Sequence, residues 1–269
     1  MNSVNWIPTD RPLVFGHRGG SRLAPENTMA AFDRAVAEGV EGLELDVRLS
    51  KDGQVMVCHD ARVDRTSNTT GAIADMKATE LARVDAGYRF TSGALSYPFR
   101  WRGFGVPTLA EVLARYPRHP VIVEMKDDTR AMAEATVEAV RAAGATDRVC
   151  LGAFPNAVMR HARRHAPEIA TSASSGEVLR AMLTARAGLL PPRRRYQALQ
   201  LPERRGRLRV VSPRFVRAAR RAGVPVQVWI VDRAEDIRRL LDWGVQAIIT
   251  DRPDIAVPAV AAWRREHGS

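Results

Sequence analysis

Short apolar runs separated by amphipathic stretches set the rhythm of this chain. Leu13-Val14-Phe15-Gly16-His17 is one such run, ends in a Gly19-Gly20 bend, and predicts a first strand. Residues 25–38 read as a helix: Asn27 or Thr28 can cap it, Met29, Phe32 and Val36 follow helical spacing, and Gly39 stops it. The run from Gly42 to Arg48 predicts a second strand, and strand, helix, strand in that order is a βαβ unit with parallel strands. The same alternation resumes later. Helices are predicted over 108–115, 131–143, 156–165, 176–187, 213–222, 234–243 and 255–265. Strands are predicted over 120–126, 149–154, 169–174, 198–201, 224–231 and 246–250. Strands beginning at 13, 42, 120, 149, 169, 198, 224 and 246 precede helices, eight in all. That count predicts an α/β fold, a (β/α)8 TIM barrel in a single domain spanning 1–269. A doubly wound sheet is the alternative. No internal repeat is present.

The rhythm breaks over 49–107, which predicts a small insertion after the second strand, a hairpin followed by a lid. Asp52-Gly53 between two β-prone runs is a hairpin signal. If those two residues are the turn, Asp46 lies opposite His59 and shares its face. Beyond Asp60, Gly, Ser, Thr and aromatic residues dominate, with one short helical pattern near 77–84.

Composition narrows the classes. Net charge is +11, which favours anionic partners such as phosphate esters, nucleic acid or an acidic membrane surface. Arginine supplies most of the excess, and a solvated surface is the plainer reading of it, including the basic loop Pro191–Arg195. Cys58 and Cys150 lie in apolar runs, so two buried thiols in a reducing compartment fit better than a disulfide. The start of the chain has no apolar leader, and no apolar run reaches membrane-spanning length. The expectation is a soluble cytoplasmic protein.

The chemistry sits at the strand ends, where barrels place their sites. Glu44 and Asp46 are two apart on a strand, so both carboxylates point to one side among apolar neighbours. Like charges that close need a positive group, and a divalent cation suits hard carboxylate oxygens. A salt-bridged or solvated pair is the alternative. Glu124 on the next predicted barrel strand makes a third carboxylate for one Ca2+ or Mg2+. His17 and His59 are candidates for general acid and base. Arg18 offers a fork to phosphate oxygens and Lys126 a point charge, although Lys126 can equally serve to neutralise Glu124. Trp229 offers a flat face to a small polyol, or simply fills the core.

Taken together, these residues resemble the glycerophosphodiester phosphodiesterase family. The resemblance is carried by His17-Arg18-Gly19-Gly20, Ala24-Pro25-Glu26-Asn27-Thr28, Glu44-Leu45-Asp46-Val47, Lys51-Asp52-Gly53, His59-Asp60 and Arg65-Thr66. It continues through Asp85-Ala86-Gly87, Val106-Pro107-Thr108-Leu109, Glu124-Met125-Lys126, Val228-Trp229 and Ile249-Thr250-Asp251-Arg252-Pro253. It implies metal-dependent hydrolysis of small glycerophosphodiesters to sn-glycerol 3-phosphate and an alcohol, through a cyclic phosphate. By position, Glu44, Asp46 and Glu124 look like the ligands of one divalent cation, and His17 and His59 like the acid–base pair. Arg18, with Lys126, looks like the phosphate clamp, and Glu26 and Asn27 like support for the residues of the site. Two departures stand out: Gly152-Ala153-Phe154 where the family has Gln-Ser-Phe, and Trp229-Ile230 where it has Trp-Thr. The run Tyr97-Pro98-Phe99-Arg100-Trp101-Arg102 is also unusual, and suits peripheral contact with an anionic membrane. The alternatives are a lysophospholipase D-like activity on lysolipids and a non-catalytic binder of phosphodiesters or nucleic acid. Retention of both histidines and three carboxylates argues against the binder, so no nucleic-acid partner is expected.

Overall fold

Strand β1 (Leu13–His17) is buried along its whole length, because it is covered on both faces. Leu13 and Phe15 point inward with Trp6 and Ile7, while Val14 joins the outer layer. The computed structural model describes residues 6–7, 10–93, 96–191 and 194–268. After β1 come α1 (Met29–Glu38), β2 (Gly42–Leu49), β3 (Val55–Val57), α2 (Ala78–Leu81) and α3 (Leu109–Arg115). Next are β4 (Val121–Met125), α4 (Arg130–Ala142), β5 (Val149–Gly152), α5 (Asn156–His165), β6 (Ala170–Thr171) and α6 (Ser175–Ala185). The chain continues through β7 (Leu199–Pro202), β8 (Arg204–Arg205), β9 (Leu208–Arg209) and α7 (Pro213–Arg221). It finishes with β10 (Val226–Trp229), α8 (Ala234–Asp242), β11 (Ala247–Thr250) and α9 (Pro253–His267).

The main sheet runs β6-β5-β4-β2-β1-β11-β10-β7, with every neighbouring pair parallel. A parallel bridge from Ser172 to Ala198 joins its two ends, so the eight strands close into the expected barrel. Ile122, Cys150, Ala170, Ala198, Ala247 and Ile249 complete the inner core. The alternate residues of the strands, such as Leu43, Leu45, Val121 and Val123, face the ring of helices.

Three sequence expectations need correction. The first helix begins at Met29 rather than Pro25, since Asn27 adopts a left-handed backbone (φ 57°) and Thr28 caps the helix by accepting from the Ala31 N–H. The hairpin after β2 has a three-residue loop, not a two-residue one. Ser50 N donates to Gln54 O at 3.0 Å, Gly53 N to Ser50 O at 3.0 Å, and Gly53 takes φ 75°. The ladder therefore pairs Leu49 with Val55, and Cys58, not His59, stands opposite Asp46. A slip of one residue changes the face presented, so pairing does not bring His59 to the carboxylates. A bend beyond β3 does, with the His59 carbonyl held by Arg48 Nε at 2.8 Å. Thirdly, the short β8–β9 hairpin was not foreseen; its exposed arginines carry no apolar alternation.

Residues between β2 and α3 build a small core of their own from Met56, Val63, Ile73, Leu81, Val84 and Val106. Of the basic loop at 191–195, Pro192 and Arg193 lie outside the described residues. Both cysteines are buried and free. Among the described residues no helix is long and apolar enough to cross a membrane.

Candidate active site

The site grows from one buried carboxylate. Asp46 points inward from β2 and is fully buried. Arg18 Nε lies 3.0 Å from its Oδ2, Lys126 Nζ 3.0 Å from its Oδ1, and Asn27 Nδ2 donates to Oδ2 at 3.0 Å. Burial opposes the charge, but Arg18, Lys126, His59 and the Asn27 hydrogen bond hold this carboxyl below its usual range.

Glu44, two residues earlier on the same strand, accepts from the Arg18 backbone N–H at 3.0 Å. Its environment is the opposite one. Burial, then the charges of Asp46 and Glu124, push it up to about 7 against the pull of His17 and Arg18. Glu124 enters from β4, in register with Asp46, and its Oε1 accepts from Lys126 Nζ at 2.8 Å. Carboxylate oxygens of Glu44, Asp46 and Glu124 lie within 4.8 Å of one another. Asp46 Oδ1 is buried and accepts no hydrogen bond of normal geometry, Lys126 being its ionic neighbour. Three hard oxygen donors converging with one left under-coordinated fit a divalent cation.

The loop after β1 is what aims Arg18 and Asn27. Arg18 (φ 50°), Gly19 (φ 81°), Gly20 (φ 83°) and Asn27 (φ 57°) all take left-handed backbone. Gly19 is required on two counts, since a Cβ there would also lie 2.6 Å from the Ala31 carbonyl carbon. The loop closes through Asn27 N donating to Arg18 O at 2.9 Å.

Both histidines rest Nδ1 on an aspartate. His17 Nδ1 is 2.6 Å from Asp251 Oδ1, and His59 Nδ1 is 2.7 Å from Asp60 Oδ1. This leaves each Nε2 as the working nitrogen; that of His17 lies 3.9 Å from Glu44 Oε2. Burial disfavours charge on His17, yet Glu44 and Asp251 more than offset it and raise the imidazole above its ordinary value. Asp60 also accepts from Arg65, which bonds Glu26 through both terminal nitrogens (2.8 and 2.7 Å), and Glu26 accepts from Arg18 at 2.9 Å. A charged chain thus runs from His59 back to the arginine beside Asp46.

Trp229 stands one step away. It is half-buried at the end of β10, edge-on to Phe154 at 6.4 Å, and Lys126 Nζ lies 6.0 Å from the Phe154 ring centre. Phe154 itself is 52% exposed. All ten candidate side chains therefore belong to one linked group, Trp229 the most peripheral.

Sequence reasoning names Asp251, Asp60 and Arg65 within motifs but gives them no role, and it misses Gln200. The signal for Asp251 was topological: in a closed barrel the last strand adjoins the first, and Gly16 does pair with Thr250. Gln200 explains the glycine departure. Gly152 pairs with Glu124, and a Cβ there would meet Ser172 Oγ at 3.1 Å and Gln200 Oε1 at 3.3 Å. The space a longer β5 side chain would use is occupied from β7.

Comparison with known proteins follows this geometry closely. The model of the Glycerophosphoryl diester phosphodiesterase family matches residues 17–255. A glycerophosphodiester phosphodiesterase of Caldanaerobacter subterraneus is 31% identical over 255 residues, 93% of this chain and 98% of that protein. The crystal structure of a glycerophosphodiester phosphodiesterase from Agrobacterium tumefaciens superposes with a TM-score of 0.75 at 28% identity, covering 92% of this chain and 99% of its own. A second, from Silicibacter pomeroyi, gives a TM-score of 0.76 at 26% identity, with 97% and 96% coverage. With eight parallel strands, a convergent carboxylate triad and these relatives over nearly its whole length, the chain belongs to the glycerophosphoryl diester phosphodiesterase family of enzymes.

Proposed function

We propose that the chain hydrolyses small glycerophosphodiesters to sn-glycerol 3-phosphate and an alcohol. The observation that carries this is the meeting of two aspartate-held histidines with three convergent carboxylates. Glu44, Asp46 and Glu124 would hold one divalent cation, Ca2+ or Mg2+. When bound, that ion supplies positive charge to the phosphoryl oxygens. Arg18, held by Glu26 and Asp46, presents its remaining N–H groups to the same oxygens, with Lys126 beside it. One histidine takes the proton of the substrate's 2-hydroxyl as that oxygen attacks phosphorus, and the other protonates the departing alcohol. The cyclic phosphate is then opened by water with the two roles exchanged. Trp229 bounds the space for the polyol. The whole chain acts as one barrel domain, with 49–107 as the insertion that supplies His59. Two buried free thiols support a reducing compartment, the cytoplasm.

A second reading, cleavage of lysolipids to release the headgroup alcohol, is favoured by the exposed apolar side chains of Phe154 (52%) and Ile230 (43%) at the ends of β5 and β10.

The test is release of sn-glycerol 3-phosphate from glycerophosphocholine with Ca2+, with Mg2+ and with EDTA. Metal-dependent release is expected, abolished in Glu44→Ala and lowered about 10²-fold or more in His17→Ala and His59→Ala. Release that survives EDTA and Glu44→Ala would sink the ligand assignment. No release from this diester, with turnover of lysophosphatidylcholine, would move the second reading ahead.

A further inference from the structure

The stretch Tyr97–Arg102 is absorbed by nothing in the reaction, yet it is firmly built. Trp101 is 72% exposed and sits in a left-handed backbone (φ 58°) that a bulky residue rarely adopts. It is held there from beneath. Buried Asp85 accepts from the Trp101 N–H through Oδ2 at 2.6 Å and from the Gly87 N–H through Oδ1 at 3.0 Å, and its own N–H donates to Asn68 Oδ1 at 2.9 Å. Gly87 leaves room for the turn, since a Cβ there would lie 2.8 Å from the Phe99 Cβ and carbonyl oxygen. The Arg100 guanidinium lies over the rings of Tyr88 and Tyr97 at 4.3 and 3.4 Å and donates to Tyr88 O at 2.7 Å. The Tyr88 ring meets the indole in a T-shaped pair, ring centres 5.5 Å apart. The Asp85-Ala86-Gly87 motif is therefore a pedestal, and Trp101 is what it presents to solvent.

Charge selects the partner. From 83 to 105 the one acidic residue is Asp85, and it is buried; the exposed charges are Arg83, Arg89 and Arg102. An outward indole in a segment whose exposed charges are all arginines matches an interface that is apolar just below a negative surface. We propose that Trp101 and Arg102 dock this enzyme on a bilayer carrying anionic phospholipid, the indole entering the headgroup region. One aromatic with a few cations gives reversible attachment, not permanent residence. Ala86, next to Asp85, lines the same cavity as His59 and Asn27, so the pedestal stands beside the candidate site. The consequence for substrate rests on the second reading above: lysolipids are met at the surface that holds them.

The test is co-sedimentation of the full chain with vesicles of 7:3 phosphatidylcholine to phosphatidylglycerol, and with phosphatidylcholine alone. Binding to the anionic vesicles only is expected. Trp101→Ala and Arg102→Glu should each weaken it about tenfold. Trp101→Phe should retain part of the affinity, and its fluorescence should lack the blue shift that wild type shows on vesicle addition. Turnover of soluble glycerophosphocholine should be unchanged in all three. Equal binding to neutral vesicles, or wild-type pelleting of Trp101→Ala, would overturn the proposal. So would capture of a single-stranded oligonucleotide that depends on Trp101 without vesicle binding, since arginines and an exposed indole also suit bases. Pelleting needs no turnover, so loss of the diesterase reading would leave this result standing.

Discussion

At the scale of single residues, Asp251 and Glu44 do different work around the same histidine. Asp251 fixes the tautomer and direction of His17, and is itself fixed by its backbone N–H donating to Asp232 Oδ1 at 2.9 Å. Asp251→Asn keeps the shape and removes the charge. It is expected to lower kcat about 10–100-fold with KM little changed, read on a soluble diester. A wild-type kcat would show that His17 is positioned by something else. Glu44 would make cation binding at the proposed site depend on protons. Its carboxyl is pushed up to about 7, chiefly by burial, so below that pH an incoming cation must displace a proton. Affinity should therefore rise as pH climbs through about 7 and flatten above it. Calorimetry in buffers of different ionisation enthalpy should find proton release at pH 6 and almost none at pH 8.5; the same release at both would refute it.

Two glycines separate local strain from packing at the scale of elements. Gly53 has φ 75° and open space around it, so Gly53→Ala should lower stability by only about 1 kcal/mol. Gly19 has both φ 81° and the Ala31 backbone against it, so Gly19→Ala should lose about 3 kcal/mol or more and misplace Arg18. Denaturant unfolding reads both; equal losses would mean that the α1 contact yields easily. The same contrast explains how much was legible beforehand. Strands buried on both faces are apolar runs, so the order β1, β2, β4 to β7, β10 and β11 shows in the linear pattern. Glu44, Asp46 and Glu124 show as charges inside such runs. Turn geometry does not show so readily: one residue in the loop Lys51-Asp52-Gly53 decides whether Cys58 or His59 faces Asp46. Nor do partnerships such as His17 with Asp251 or Gly152 with Gln200, which exist only once strands are neighbours.

For the molecule as a whole, many arginines are paired internally with carboxylates. Arg163 meets Glu177, Arg239 meets Glu203, and Glu41 gathers Arg11 and Arg264 while accepting from the Val14 N–H. The triad is the opposite case, a concentration of negative charge that the fold must hold together. A ligand that binds only the folded state adds about 2.7 kcal/mol at a hundred times its Kd. Saturating Mg2+ or Ca2+ should accordingly raise Tm by several degrees, EDTA should reverse the rise, and Glu44→Ala should abolish it. An unmoved Tm would mean that the carboxylates do not take the ion.

The contact between His17 and Asp251 joins residues 234 positions apart. Ribosomal synthesis runs in one direction, so a growing polypeptide has its first histidine long before it has the carboxylate that orients it. Until the last strand is translated and inserted between the first and the tenth, His17 is without its partner. An unfinished or prematurely terminated product thus lacks the oriented imidazole that the proposed hydrolysis of glycerophosphodiesters calls for, and gains it only when translation has passed the final strand.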